Sequence, residues 1–376
     1  MRPSVGKKII RAATIGMSLN IFCKGLLSEL REEGYEMVAL ASPDDDLEEL
    51  GRREGVRTIG VAMERHVSPW KDMVSLVRLT MVMMREKPDM VHSMTPKAGL
   101  LCMMAAWLAH VPVRVHTFTG LVWPTATGLS RKILMLTDKI TCFCATHIIP
   151  EGGGVKRDLQ RCITSKPMKV LGYGNVRGVD LDYWKRTNDR EDGDADAFTF
   201  VFVGRIVRDK GVNELVSAFV RLHDECPSVR LILVGPAEED LDPVLPRTRQ
   251  LIKECEAIET VGSQKDVRPF YEKSDALVFP SYREGFPNVV IEAGAMDLPS
   301  IVTDINGSRE IIVDGKNGCI IPPRNENALY EAMRWMVMHP QDVERMARNA
   351  RPMVASRYEQ GFVRQCLKDF YQNILR

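Results

Sequence analysis

No stretch of this 376-residue chain is long and apolar enough to span a membrane: the longest, LLCMMAAWLAH from Leu100 to His110, is about half a span and reads as a buried helix. The opening MRPSVGKKIIRAATIG has basic residues but only a broken apolar run, so no secretory signal is expected. The nine cysteines lack metal-ligand spacing, and the nearest pair, Cys142 and Cys144, reads as opposite faces of one strand. That favours reduced thiols in a cytoplasmic protein over a disulfide framework or a zinc site. Also missing are a Walker pattern and a G-x-G-x-x-G fingerprint, since Gly16 follows the first apolar run without it and GYGNVRG from Gly172 has the wrong spacing. A P-loop and a dinucleotide-binding dehydrogenase are thereby disfavoured. Nor is positive charge dense enough anywhere to argue for nucleic acid.

What is present is a soluble, two-domain composition. The length exceeds what one core usually supports, and 45% hydrophobic with 27% charged residues is ordinary for a globular protein. The net charge of +1 conceals an asymmetry: Met1 to Lys185 holds 26 Lys+Arg against 19 Asp+Glu, or +7, and the remainder is −6. Either this is chance, or the first half meets an anion or a membrane surface. The polar, acidic stretch YWKRTNDREDGDADAF, from Tyr183 to Phe198, reads as an interdomain linker. On both sides of it, short apolar runs alternate with amphipathic stretches. KKIIRAATIG, EMVALAS, DMVHSM, VRVHTFTG and HIIPEG precede it; FTFVFVG, VRLILVG, AIETVG, DALVFPS and PSIVTD follow. Buried strands alternating with helices predict α/β architecture: two doubly wound, Rossmann-like domains whose strand carboxyl ends face a common cleft.

In such sheets ligands bind at the loops after strands. Three such loops stand out. In VGRIVRDKG, Arg205 and Lys210 run from a strand end into a helix start; they are either a solvated turn or two cations placed to hold two phosphates. In REGFPNVVIEAGAMDLP, Pro287 fits the first turn of a helix running through Ala295. Eight positions on a helix rotate by roughly 80°, so Glu284 belongs to the preceding loop while Glu292 lies two turns down the helix. The two carboxylates then suit two sets of hydroxyls on one extended ligand better than a pair flanking one bond, with a cap and a surface charge as the plain alternative. Backbone N–H groups of Gly285, Phe286 and Asn288 would face whatever Glu284 touches. The third loop is ATIGMSLNIF, at Gly16.

These segments carry a resemblance. GRIVRDKG, VGSQKDVRPFYEKSDALVFPSYREGFPNVVIEAGAMDLPSIVTD and GSREIIVDGKNGCIIPP look like the donor domain of the family 4 glycosyltransferases, retaining enzymes of GT-B fold. HSMTPKAG, VRVHTFTGLVWPTATG and GVDLDYW are similar to bacterial members that build capsule, O-antigen or lipid-linked oligosaccharides. The resemblance implies an acceptor-binding domain over residues 1–185, joined by a final helix 360–376 that crosses back, and a donor-binding domain over 186–359. It implies Arg205 and Lys210 on the donor diphosphate, Glu284 on the donor sugar's hydroxyls and Glu292 on the ribose. Gly204, Gly285, Phe286, Pro287 and Asn288 would border sugar and phosphate, Gly16 would approach the diphosphate, and Val261 with Gly262 would touch the base. UDP is the implied nucleotide. Where several relatives carry a histidine, this chain has Thr119; His116, three residues earlier, either lines the cleft or serves the core.

Retaining transfer of this kind needs positioning and neutralisation of leaving-group charge more than a protein base. No cofactor or metal is therefore expected, and SPDDDLEEL at Asp44 to Asp46 reads as a helix start after the second strand. The expected partners are a nucleotide-diphosphate sugar and an anionic, polyprenyl-diphosphate-linked acceptor, held by Lys97. Arg131, Lys132 and Lys139, with Leu121 and Trp123 dipping into the interface, would make peripheral contact with the inner membrane face. Two rival classes fit the same architecture: a UDP-N-acetylglucosamine 2-epimerase, which needs no acceptor, and a nucleotide-sugar-binding protein without turnover.

Overall fold

The computed structural model describes residues 6–64, 68–187, 197–238 and 242–376. The chain divides into two compact units, Met1–Gly178 with Gly361–Arg376, and Val179–Gln360.

In the first unit the strands are β1 (Lys8–Ala12), β2 (Glu36–Ala41), β3 (Arg57–Gly60), β4 (Met90–Met94), β5 (Val113–Phe118) and β6 (His147–Pro150). All pair in parallel, in the order β3-β2-β1-β4-β5-β6. Parallel strands are covered on both faces, which is why KIIRA and MVHSM are continuous buried runs rather than alternating ones. The connecting helices are α1 (Gly16–Cys23), α2 (Leu26–Glu32), α3 (Asp45–Glu54), α4 (Pro69–Glu86), α5 (Pro96–Leu108), α6 (Gly128–Cys144) and α7 (Gly153–Cys162). Asp44 starts α3, its carboxylate accepting from the Leu47 N–H at 2.8 Å, as the DDD run predicts.

The second unit repeats the plan. Its strands β7 (Thr199–Val203), β8 (Arg230–Val234), β9 (Ile258–Gly262), β10 (Ala276–Phe279), β11 (Ser300–Thr303) and β12 (Gly318–Ile321) lie in the order β12-β11-β10-β7-β8-β9. Around them run α8 (Val212–Glu225), α9 (Pro246–Glu254), α10 (Arg268–Glu272), α11 (Asn288–Ala295), α12 (Ser308–Ile311), α13 (Glu326–Met338) and α14 (Pro340–Tyr358). One core joins Phe200, Phe219, Tyr271, Val290 and Met333. A last helix, α15 (Gln360–Ile374), belongs to the first unit, where Phe370 and Tyr371 pack with Ile9 and Leu27. Tyr371 is tied in by polar bonds as well: its hydroxyl lies 2.7 Å from Arg11 Nη1 and 2.6 Å from His92 Nδ1.

Four sequence expectations change here. Cys142 and Cys144 sit in the last turn of α6, not on a strand, and all nine cysteines are free. Leu121 and Trp123 are buried, at 7% and 2% exposure, so neither can dip into a membrane. Trp184, inside the expected linker, packs in the second unit's core, and Arg351 donates to the Trp184 carbonyl at 2.6 Å. Most of that linker, 188–196, lies outside the described residues. Finally, the four-residue edge strands β3 and β12 join the sheets beyond the apolar runs that predict strands.

Candidate active site

Each sheet reverses its strand order once, between β1 and β4 in the first unit and between β7 and β10 in the second. A crevice opens there at the strand carboxyl ends. In the second unit the loop after β7 carries Arg205 and a single 3₁₀ turn, Arg208–Lys210; the loop after β10 carries Ser281 to Pro287. These loops meet. The Lys210 ammonium donates to Glu284 Oε1, which also accepts from Ser281 Oγ at 2.7 Å. Both partners of this pair are mostly buried, at 17% and 16% exposure, so neither is a solvated turn charge. The ammonium stands 5.3 Å from the Phe279 ring centroid. Arg205 is different: it is more exposed, and its guanidinium pairs with Glu238 at 2.7 Å. An exposed pair of this kind holds weakly and leaves Arg205 available to an anion.

Glycines bring the loops this close. Gly211, at φ 72°, follows Lys210, and a Cβ there would lie 2.2 Å from the Pro280 carbonyl oxygen. At Gly307, φ 76°, a Cβ would lie 2.5 Å from the Gly285 carbonyl oxygen, so the loop after β11 closes on the opposite side. Both are left-handed positions that glycine alone takes without strain. Between them Pro287 leads into α11, whose first helical residue is Asn288, and Phe286 is anchored edge-on against Tyr358 at 5.4 Å. The N–H groups of Gly285 and Phe286 have no hydrogen-bond partner among the described residues. Glu284 is therefore in the loop and Glu292, buried at 8% exposure, is in the helix, as the rotation argument requires. Gly204 directly follows β7; Val261 and Gly262 end β9, with Gly262 at φ 67° and its carbonyl accepting from the Gly235 N–H at 2.9 Å.

The first unit's crevice is built from hydroxyls. Thr95, after β4, has φ 69° and ψ 143°, a strained conformation for a β-branched residue. Its Oγ1 accepts from the Thr14 N–H at 3.1 Å, tying the loop after β1 to the loop after β4. Gly16 opens α1, and the close approach it permits is to α3: its N–H donates to Asp44 at 3.0 Å, and a Cβ would lie 2.2 Å from the same carboxylate. Lys97 is held by Asp72 at 2.6 Å, both side chains largely buried.

His116, on β5, is fully buried and bonded through Nδ1 to Ser93 Oγ at 2.8 Å, with burial pushing its pKa down to about 3. It is a neutral, packed imidazole, yet its edge borders a pocket formed with Thr95, Thr119, Trp123 and Asp138. Asp138 was not among the sequence candidates. Burial pushes its carboxyl up to about 7 against the pull of the Trp123 indole, whose buried Nε1 finds no partner of good geometry. Gly211, Gly307 and Thr95 were also not singled out from sequence, although Lys-Gly before a helix and Thr-Pro after a strand are local signals for tight turns.

Residues 197–339 match the family described as "Glycosyl transferases group 1", and residues 19–171 the "Glycosyl transferase 4-like domain". The chain belongs to the family 4 type of glycosyltransferases, with the GT-B fold. Among its relatives is the capsular polysaccharide biosynthesis glycosyltransferase CapM of Staphylococcus aureus, 28% identical across 98% of both chains. The UDP-Gal:alpha-D-GlcNAc-diphosphoundecaprenol alpha-1,3-galactosyltransferase of Escherichia coli is 28% identical over 72% of this chain and 71% of its own. Among solved structures, Anabaena Alr3699/HepE in complex with UDP superposes with a TM-score of 0.80 at 16% identity, covering 97% of this chain and 100% of that one. That protein is also known in complex with UDP-glucose. The chain is thus a glycosyltransferase.

Proposed function

We propose that the protein transfers a hexose from a UDP-sugar, with retention of anomeric configuration, to an anionic acceptor carried on a polyprenyl diphosphate. The single observation carrying this reading is the arrangement at the β7/β10 crevice, where Lys210, on the same loop as Arg205, meets Glu284 of the other loop, and the Gly285 and Phe286 N–H groups beside Glu284 have no hydrogen-bond partner among the described residues. Arg205 and Lys210 take the diphosphate; Glu284 orders the sugar's hydroxyls and Glu292 the ribose, with Val261 and Gly262 beside the base. The acceptor hydroxyl attacks the anomeric carbon as its bond to the diphosphate oxygen breaks. The hydroxyl's proton passes to the departing phosphate. The two cations stabilise charge growing on that leaving group, a kind of stabilisation worth roughly 3 kcal/mol per well-placed donor, and the step then needs no metal.

The donor and acceptor assignments are supported by likeness to the Escherichia coli enzyme, whose name specifies both UDP-Gal and a diphosphoundecaprenol-linked sugar, and to the structure holding UDP-glucose. On the acceptor side, Lys97, His116 and Thr119 belong to the first unit's crevice, with Lys97 exchanging Asp72 for the acceptor's diphosphate. The reaction then takes place at the cytoplasmic face of the inner membrane. A panel of nucleotide sugars, read by release of nucleoside diphosphate with and without a lipid-diphosphate acceptor, tests the reading. UDP release that requires the acceptor, with an α-configured product from an α-linked donor by proton NMR, is expected. Conversion of the sugar with no acceptor present would instead favour an epimerase.

A further inference from the structure

The outward face of α4 is apolar. Trp70, Met73, Val74, Val77, Met81 and Met84 are all exposed, Trp70 at 81% and Met84 at 61%. With about 100° between successive residues, these six fall within an arc of about 100°. The helix's buried residues, Ser75, Leu76, Leu79 and Met83, lie on the opposite side, against the core shared with α5 and α6. Lys71, Arg78 and Arg85, spaced by seven, form an exposed basic row along one edge of the arc. Arg78 and Arg85 have no ion pair among the described residues, and Lys71 pairs only with exposed Glu64.

On α6 the pattern recurs. Leu129, Ile133, Leu136 and Phe143 are exposed along one stripe, flanked by exposed Lys132 and Lys139. Between the two helices, α5 adds exposed Trp107 and Leu108 at its end, Trp107 in ring contact with Phe143 at 6.1 Å. The acidic residues of all three helices are turned away from this face. Asp72 is bound to Lys97, Glu86 to Arg57 and Lys8, and Asp138 is half-buried in the pocket of the first unit.

We propose that this α4–α5–α6 face docks the protein on an anionic lipid bilayer, with α4 lying in the interface plane. Its stripe enters the acyl boundary while Lys71, Arg78, Arg85, Lys132 and Lys139 meet lipid phosphates. No helix among the described residues is long and apolar enough to cross a membrane, so the contact is peripheral. A second copy is a poorer occupant, because it would bring two rows of like charge together while the acidic residues of the three helices are turned away from the face. The proposal rests on the reading of the acceptor as lipid-linked, for which it supplies the approach.

The test uses the full chain and acceptor-free vesicles, either phosphatidylcholine alone or mixed equally with phosphatidylglycerol. Flotation with the mixed vesicles at low salt, weakened at high salt, is expected. So is a blue shift of tryptophan emission that Trp70→Phe reduces and Trp70→Phe with Trp107→Phe removes. A Val77→Glu, Met81→Glu double variant alters only exposed positions and should lose vesicle binding by more than about tenfold. Its melting temperature and its transfer to a detergent-solubilised acceptor should stay unchanged. Arg78→Glu with Arg85→Glu should weaken binding to the mixed vesicles by more than about twentyfold and leave the weak binding to neutral ones unaltered. Wild-type protein that floats with neither vesicle would overturn the proposal. So would a Val77→Glu, Met81→Glu variant that binds like wild type or that merely converts a dimer to a monomer. Because the vesicles hold no acceptor, failure of the lipid-linked reading shows separately, as equal transfer to a free sugar and to its polyprenyl-diphosphate form.

Discussion

Replacing Gly211 by alanine probes how the donor site is assembled. The residue sits at φ 72°, where an L side chain costs about 1–2 kcal/mol. The added Cβ would also meet the Pro280 carbonyl oxygen at 2.2 Å, and that atom is backbone. Relief requires the Lys210 turn and the β10–α11 loop to part by about 1 Å, a misplacement that can cost about a hundredfold in rate. Gly315→Ala is the control: it has the same left-handed φ, 71°, but nothing within 4 Å of the new Cβ. Both variants should lower the second unit's melting temperature by a few degrees, at about 2–4 °C per kcal/mol for a domain of this size. Gly211→Ala alone should lose about a hundredfold in kcat/KM, read by release of nucleoside diphosphate at several donor concentrations. Equal, small losses in the two variants would refute the claim that this close approach positions Lys210.

Glu292→Gln should weaken binding of free UDP in calorimetry, whereas Glu284→Gln should leave it unchanged or tighter, because the latter removes the anion now paired with Lys210. The opposite order would reverse the two assignments. On the proposal that Arg205 and Lys210 neutralise the leaving group, activity should survive excess EDTA; loss that added Mg²⁺ restores would argue for a metal. Asp138 sets a pH dependence. Its folded-state pKa of about 7 lies above the value of about 3.9 expected when unfolded, so its contribution to stability is full below about pH 4 and is lost as pH rises to about 7. The melting temperature of the first unit should therefore fall between about pH 4 and pH 7 in wild type, and Asp138→Asn should flatten that slope; an unchanged slope would remove Asp138 as its source.

Much of the second unit is legible in sequence because its physics is local. FTFVFVG and VRLILVG can only be buried strands, and the helical rotation between Glu284 and Glu292 is enough by itself to separate loop from helix. Edge strands β3 and β12 are four residues each, too short for an apolar run to stand out. Cys142 and Cys144 belong to a helix whose end abuts the next strand, so period alone misassigns them. The Lys210–Glu284 pair and the Gly211–Pro280 approach join residues about 70 positions apart, and nothing local encodes either. The residues expected at a membrane surface are the instructive failure. Leu121 and Trp123 lie near cations in sequence yet pack inward, whereas α4 carries apolar residues on two opposite faces and only the fold decides which one meets solvent.

The central claim is that Arg205 and Lys210 stabilise the departing diphosphate. The most direct measurement is single-turnover release of UDP from a saturating UDP-sugar in the presence of acceptor, for wild type, Arg205→Ala and Lys210→Ala, with folding checked by thermal melts. The account predicts that each substitution slows release by about a hundredfold or more while the melt stays cooperative. Rates within a few-fold of wild type in both variants would contradict it.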